Sequence, residues 1–111
     1  MLLITQDQAG QTFTVSVGDH FQIRLTENRL PLGTSGHHWE WRLEEGSQAI
    51  VLVKVEHDDH DTTHHLQGHL TATFRVDASG QSMVKATSEK VDQAGNVLEM
   101  TAALTFTLDA H

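Results

Sequence analysis

Cysteine and tyrosine are absent from this chain, proline occurs once, at Pro31, and basic residues are scarce. Each shortage excludes something. Without cysteine there is no disulfide, no thiol nucleophile and no thiolate metal cluster, so a small domain must be held by its core alone. That absence selects no compartment. A single proline rules out an extended proline-rich chain. Seven Lys and Arg stand against fifteen Asp and Glu, a formal charge of −8 with His neutral. A surface this acidic, with no basic cluster, is repelled by nucleic acid and by anionic membranes, and neither is expected as a partner. Long hydrophobic runs are missing too: nothing approaches the roughly 20 apolar residues of a membrane helix. The opening Met1-Leu2-Leu3-Ile4-Thr5-Gln6-Asp7 has a short apolar run without a basic flank and does not read as a signal peptide. Localisation stays open, because a periplasmic or secreted protein can have lost its leader.

What is present fits one domain spanning residues 1–111, with 38% apolar residues, enough for a single core. Nine histidines are an unusual load. Imidazoles titrate near about pH 6.5, so nine protons would more than cancel the acidic excess in mildly acidic surroundings.

The dominant hydrophobic period is two. Phe13, Val15 and Val17 alternate with polar residues, then Phe21, Ile23 and Leu25 do so after the Gly18-Asp19 break. Trp39, Trp41 and Leu43 continue the pattern, as do Leu70, Ala72, Phe74 and Val76. Alternation suits a strand with one buried face, because successive side chains point to opposite sides. Residues 49–55 are rich in β-branched side chains and predict a more fully buried strand. Asp77-Ala78-Ser79-Gly80 predicts a hairpin turn, Met83–Lys90 the return strand, and Asp92–Asn96 a second turn. The last run places Leu98, Met100, Ala102, Leu104, Phe106 and Leu108 on one face. A helix competes there, through Glu99, Met100 and Ala102, but the apolar spacing is two rather than three and four. About seven antiparallel strands with turns between them predict an all-β, immunoglobulin-like sandwich.

Two stretches carry a specific resemblance. Residues 11–28 contain a valine-glycine turn followed by an alternating strand, and Thr34-Ser35-Gly36-His37-His38-Trp39 follows. Together they resemble the opening half of the chagasin family, small protein inhibitors of papain-like cysteine peptidases. Asn28, Thr34, Ser35, Gly36 and Trp39 match its Asn-Pro-Thr-Thr-Gly, aromatic, any residue, Trp pattern, with residues 29–33 inserted. The resemblance implies an immunoglobulin-like sandwich whose B–C, D–E and F–G loops cluster at one end and enter the peptidase cleft as a wedge. It implies a binding protein, not an enzyme, with no cofactor. The inhibitory loop would comprise Pro31, Gly33, Thr34, Ser35, Gly36 and His37, within residues 29–37. Gly36 would allow close backbone approach beside the catalytic cysteine, since no Cβ stands in the way. Loops 57–68 and 88–96 would flank it, with His64, His65, Gly68 and Lys90. The chain departs from the pattern at His37, which takes the place of the aromatic. The D–E loop has only Gly68 where the family is glycine-rich. The region Ser88–Asn96 lacks the family's Arg-Pro-Trp, an aromatic anchor of the kind that dominates interface energy.

Each of these features also has a plain reading. Thr34-Ser35-Gly36 serves as a polar turn in any sandwich. Trp39 and Trp41 read as core, as a Trp on the central strand does in this architecture. His37 could present a flat ring to a partner, with binding that then changes through the imidazole range. The segment from Glu56 to His65 offers His and Asp ligands, with His60 and His64 four apart. That spacing serves zinc on a helix, and no helical stripe is present, so a solvated loop is favoured over a metal site. No Gly-x-Ser-x-Gly occurs, and although His and Asp are abundant enough for a hydrolytic dyad, a small sandwich lacks the deep pocket most enzymes use, so an enzyme has little support. The leading expectation is a monomeric, reversible inhibitor of a papain-like cysteine peptidase. The alternatives are a chagasin-like scaffold that has lost inhibition and binds another protein, and a weak metal-binding His-rich protein.

Overall fold

The alternating runs pair into two packed sheets in the computed structural model, which describes residues 1–27, 38–46, 49–58, 68–92, 94–101 and 103–111. Among the described residues there are nine strands. They are β1 (Leu2–Thr5), β2 (Thr12–Val15), β3 (His20–Glu27), β4 (His38–Glu45), β5 (Ile50–Asp58), β6 (Gly68–Val76), β7 (Gly80–Val91), β8 (Val97–Met100) and β9 (Leu104–Ala110). One sheet has the order β1-β3-β6-β5 and the other β2-β9-β7-β4, with β8 paired to β7. This is the two-sheet arrangement of an immunoglobulin-like sandwich, with β3 to β7 in the places of strands B to F and β9 in that of G.

The inner faces follow the sequence pattern. Phe21, Ile23 and Leu25 of β3, Leu70, Ala72, Phe74 and Val76 of β6, Val84 and Ala86 of β7, and Phe106 and Leu108 of β9 are buried in one contiguous core. Phe21 and Phe74 are direct cross-strand partners, and their rings stack with centroids 5.1 Å apart and planes 14° off parallel. Aromatic cross-strand pairs of this kind add to the stability that burial alone gives a sheet.

Three expectations are corrected. The strands number nine rather than about seven, and not all pairings are antiparallel: β1 runs parallel to β3, and β2 parallel to β9. The chain start is the reason. Its short apolar run buries Ile4 completely at the edge of the first sheet. A single 3-10 turn, Gln6–Gln8, then takes the chain across to the second sheet. The Gln8 side chain accepts the Thr5 N–H at 2.9 Å, which closes that turn. Second, residues 49–55 do not form a fully buried strand. Ile50 is buried, but Val53 and Val55 are exposed, because β5 lies at a sheet edge. A bulge between Leu52 and Lys54 also takes Val53 out of the ladder. Third, Val17 lies beyond the end of β2 and is exposed, although Val15 is buried.

A turn is present at 77–80, between β6 and β7, but it is not the predicted hairpin: β6 and β7 belong to different sheets, so the chain crosses the sandwich here instead of returning alongside itself. Gly80 has φ of +120°, a backbone that side-chain-bearing residues rarely adopt. Beside it the Arg75 guanidinium grips Asp77, Nε to Oδ1 at 2.6 Å and Nη2 to Oδ2 at 3.2 Å. The hydrogen bond from Arg75, with its charge, holds the Asp77 carboxyl below the usual carboxylate range.

Replacing Phe74 by Ala removes a stacked, fully buried ring and costs about 3–5 kcal/mol in urea denaturation followed by circular dichroism. Lys85→Ala, on the exposed face of β7 in the other sheet, changes stability by no more than about 0.5 kcal/mol. In an NMR pH titration Asp77 titrates below an ordinary aspartate, and Arg75→Gln moves it back up. Because its folded pKa is the lower one, the contribution of Asp77 to stability is present above the ordinary carboxylate pKa. It is lost as pH falls through the folded value.

Candidate functional site

Strand register decides which connections share an end of the sandwich. In the first sheet, Glu27 at the end of β3 lies opposite Gly68 at the start of β6, and His69 lies opposite Asp58 at the end of β5. In the second sheet, His38 at the start of β4 lies opposite Val91 at the end of β7. The indole Nε1 of Trp41 in β4 donates to the Thr26 carbonyl of β3 at 2.7 Å, joining the sheets at this end. The anchor points of three connections, 28–37, 59–67 and 92–96, therefore converge on one edge of the molecule. The Thr26 N–H is held as well, by Gln6 Oε1 at 2.9 Å, so the next-to-last residue of β3 is fixed through both its backbone groups.

The third connection is described almost completely, and it differs from the expected loop over 88–96. Residues 88–91 continue β7, so Lys90 sits on a strand, between Trp39 of β4 and Glu99 of β8 in the register. Its ammonium lies 3.9 Å from Glu99 Oε1. The turn proper is 92–96 and is tied by one carboxylate. Asp92 Oδ1 accepts the N–H groups of Ala94 and Asn96, both at 2.9 Å, and Asp92 Oδ2 accepts from Asn96 Nδ2 at 3.2 Å. The Asp92 N–H donates to Asn96 O, and Gly95, at φ of +87°, donates its own N–H to Asp92 O. This is the side-chain-to-backbone pattern that favours aspartate in turns.

Beyond the turn, the expectation that Leu98 and Met100 share the buried face of Leu104, Phe106 and Leu108 is overturned. Between β9 and β8 the register slips by one. Ala86 lies opposite Leu104, but Glu89, three residues on, lies opposite Met100, four residues back. One extra residue on the β8–β9 side exchanges the two faces. Thr101 holds the irregularity: its N–H donates to Ser88 O at 2.9 Å, and its Oγ1 accepts the Ser88 N–H at 3.2 Å. A second slip, between Lys90 and Val91, leaves Leu98 as the unpaired residue and sets Val97 opposite Val91. Every residue of β8 is exposed.

Of the residues predicted to bind, Pro31, Gly33, Thr34, Ser35, Gly36 and His37 lie outside the described residues, as do His64 and His65. The same holds for His60, of the metal reading. Among the described residues no group of three His, Cys, Asp or Glu could hold a metal. Gly68 and Lys90 are placed, on strands β6 and β7, at the converging end. The residues that sequence reasoning misassigned here are Leu98 and Met100. Alternation alone cannot reveal a bulge, and the even-numbered apolar phase runs unbroken from Leu98 to Leu108.

A separate groove of about 310 Å³ runs along the open side between edge strands β4 and β5, lined by Trp41, Leu43, Leu52, Val55 and Leu70 with Glu40 and His57. Its edges are guarded. The Leu52 N–H is capped by Glu45 Oε1 at 3.0 Å, and the β5 bulge and exposed Lys54 and Glu56 oppose the addition of another strand.

The cross-sheet bond gives a test. Trp41→Phe keeps most of the packing and removes the N–H that holds Thr26, and is expected to cost about 1 kcal/mol in urea denaturation. Amide exchange should rise locally at residues 25–27 and not in β9.

No protein-family model and no curated protein sequence matches the chain. Solved structures do match its fold. The cysteine protease inhibitor EhICP2 from Entamoeba histolytica superposes with a TM-score of 0.71 at 15% identity, over 99% of this chain and 95% of that one. Amebosin superposes with a TM-score of 0.64 at 17% identity, over 99% and 97% of the two chains. The sandwich described above is a chagasin-like fold, shared along nearly its whole length with a cysteine protease inhibitor.

Proposed function

We propose that this chain is a reversible protein inhibitor of papain-like cysteine peptidases that acts by occluding the active-site cleft. The observation that carries the reading is the convergence of the strand ends that anchor connections 28–37, 59–67 and 92–96 at one end of a sandwich whose fold matches that of a cysteine protease inhibitor. A wedge of this kind needs no chemistry of its own. It needs backbone that can approach the peptidase cysteine closely and a rigid base that does not lose entropy on binding. Residues 29–37 would supply the first, with Thr34, Ser35 and Gly36 at the tip. The bonds through Thr26 and the closed turn at Asp92 supply the second. His64 and His65 would flank the tip on one side and the β7–β8 hairpin on the other. A formal charge of −8 suits a partner whose cleft rim is basic.

The test is a titration into papain with a fluorogenic peptide substrate at pH 6 and pH 7.5. Dose-dependent loss of activity that recovers on dilution is expected. Gly36→Val should weaken inhibition at least about tenfold without altering the melting temperature, as expected for a change at the centre of an interface. A difference in inhibition between the two pH values that disappears in His37→Phe would assign that dependence to His37. No inhibition of papain or of related peptidases at large molar excess would leave the scaffold reading in its place.

A further inference from the structure

Among the described residues nothing buries the three aliphatic side chains of β8. A strand that continued β9 without interruption would turn every second residue toward the core. The extra residue before β9 instead sets Met100 opposite Glu89, and the second slip sets Val97 opposite Val91. Val97 is 48% exposed, Leu98 46% and Met100 60%, on a strand of only four residues. Val91 is buried, yet it lies apart from the contiguous core, so it belongs to a small apolar patch with its partner Val97. Leaving that much apolar surface in water is unfavourable, and clusters of this kind mark places where something binds. The patch is also held in shape. Asp92 ties the turn at one end of β8 and the Thr101–Ser88 pair ties the other. Its position is at the converging end: Val91, opposite Val97, is also the partner of His38, where residues 28–37 rejoin the sheet.

We propose that the β7–β8 hairpin is an aliphatic docking arm, and that Val97, Leu98 and Met100 seat on an apolar wall of the peptidase beside its cleft. The assignment rests on the inhibitor reading and names the contact that stands in for the absent aromatic anchor. A long, flexible methionine side chain adapts to an apolar partner surface of irregular shape. The turn and the Thr101 tie keep the arm from losing freedom when it binds. The target preferred by this chain is accordingly a peptidase with an exposed aliphatic or aromatic surface at that flank of the cleft.

The experiment compares inhibition constants for the wild type, Leu98→Ser with Met100→Ser, and Met83→Ser against a panel of papain-like peptidases. Melting temperature and oligomeric state are measured for each. Met83 is another exposed methionine, on β7 toward the opposite end of that strand. The double variant should inhibit at least about tenfold more weakly, chiefly through faster dissociation. Met83→Ser should match the wild type, and melting temperatures should be unchanged. If the double variant proves unstable, Met100→Gln alone is compared at the same positions. Inhibition within twofold of wild type by a folded variant overturns the docking arm and leaves the inhibitor reading standing. A change in self-association with unchanged inhibition overturns it in favour of a contact between two copies. Failure of the wild type to inhibit any peptidase of the panel overturns both.

Discussion

The hydrogen-bond ladder of β7 is the constraint on which the rest of the structure depends. It is the longest strand, and it is paired with β9 along its first half, with β8 beyond that, and with β4 on its other side. Its inner residues Val84 and Ala86 close the core under Phe106 and Leu108. Its far end carries the partner of His38 and the start of the Asp92 turn. A strand has only two faces, and a slip of one residue exchanges them. The ladder therefore sets both what is buried at one end of β7 and what is offered to solvent at the other.

Most of the sandwich was legible because burial and alternation agree where a strand has neighbours on both sides. The β3, β6 and β9 patterns, Phe21-Ile23-Leu25, Leu70 to Val76 and Leu104-Phe106-Leu108, all fall inward as read. The pattern misled where a strand has one neighbour or an irregular one. Residues 50–55 are as β-branched as a central strand, but β5 ends its sheet, and β-propensity does not distinguish edge from centre. Leu98 and Met100 keep the even-numbered phase of Phe106, and only a backbone irregularity at Thr101 reverses it. The N-terminal run was too short to register as a strand, although Ile4 is among the fully buried side chains. Of the candidate site, the end of the sandwich was legible through its family resemblance. Gly68 and Lys90 proved to be strand residues at that end rather than loop residues.

The open side of the sandwich is treated differently from the converging end. Edge strands invite pairing with a further strand, and both β4 and β5 carry devices against it. Arg42 pairs with Glu44 at 3.2 Å and Lys54 with Glu56 at 3.1 Å, all exposed, so charge lines both edges. Exposed pairs of this kind add little stability. Their effect is on association, because a strand docking there would have to strip them of water. The bulge at Val53 and the Glu45 cap on the Leu52 N–H remove regular backbone donors from the same edge. The half-buried groove between the two edges, with Trp41 and Leu43, is thus screened by polar groups on its rims.

Among the described residues no such screening protects β8. The ion pair of Lys90 and Glu99 at 3.9 Å is long, and Val97, Leu98 and Met100 are exposed. The contrast is informative because the two surfaces belong to one small chain under the same demand for solubility. Where apolar residues meet an edge without a task, charges and a bulge close it off. At the converging end two bulges do the opposite and turn aliphatic side chains outward. A bulge is a device for re-aiming side chains as much as for ending a ladder, and the difference lies in what flanks it. At β5 the flanking residues are Lys54 and Glu56; at β8 they are valine, leucine and methionine on a turn already rigid through Asp92. The rigid turn costs little further entropy when a partner arrives, so the apolar surface that is unfavourable in the free protein becomes the favourable part of an encounter at that end.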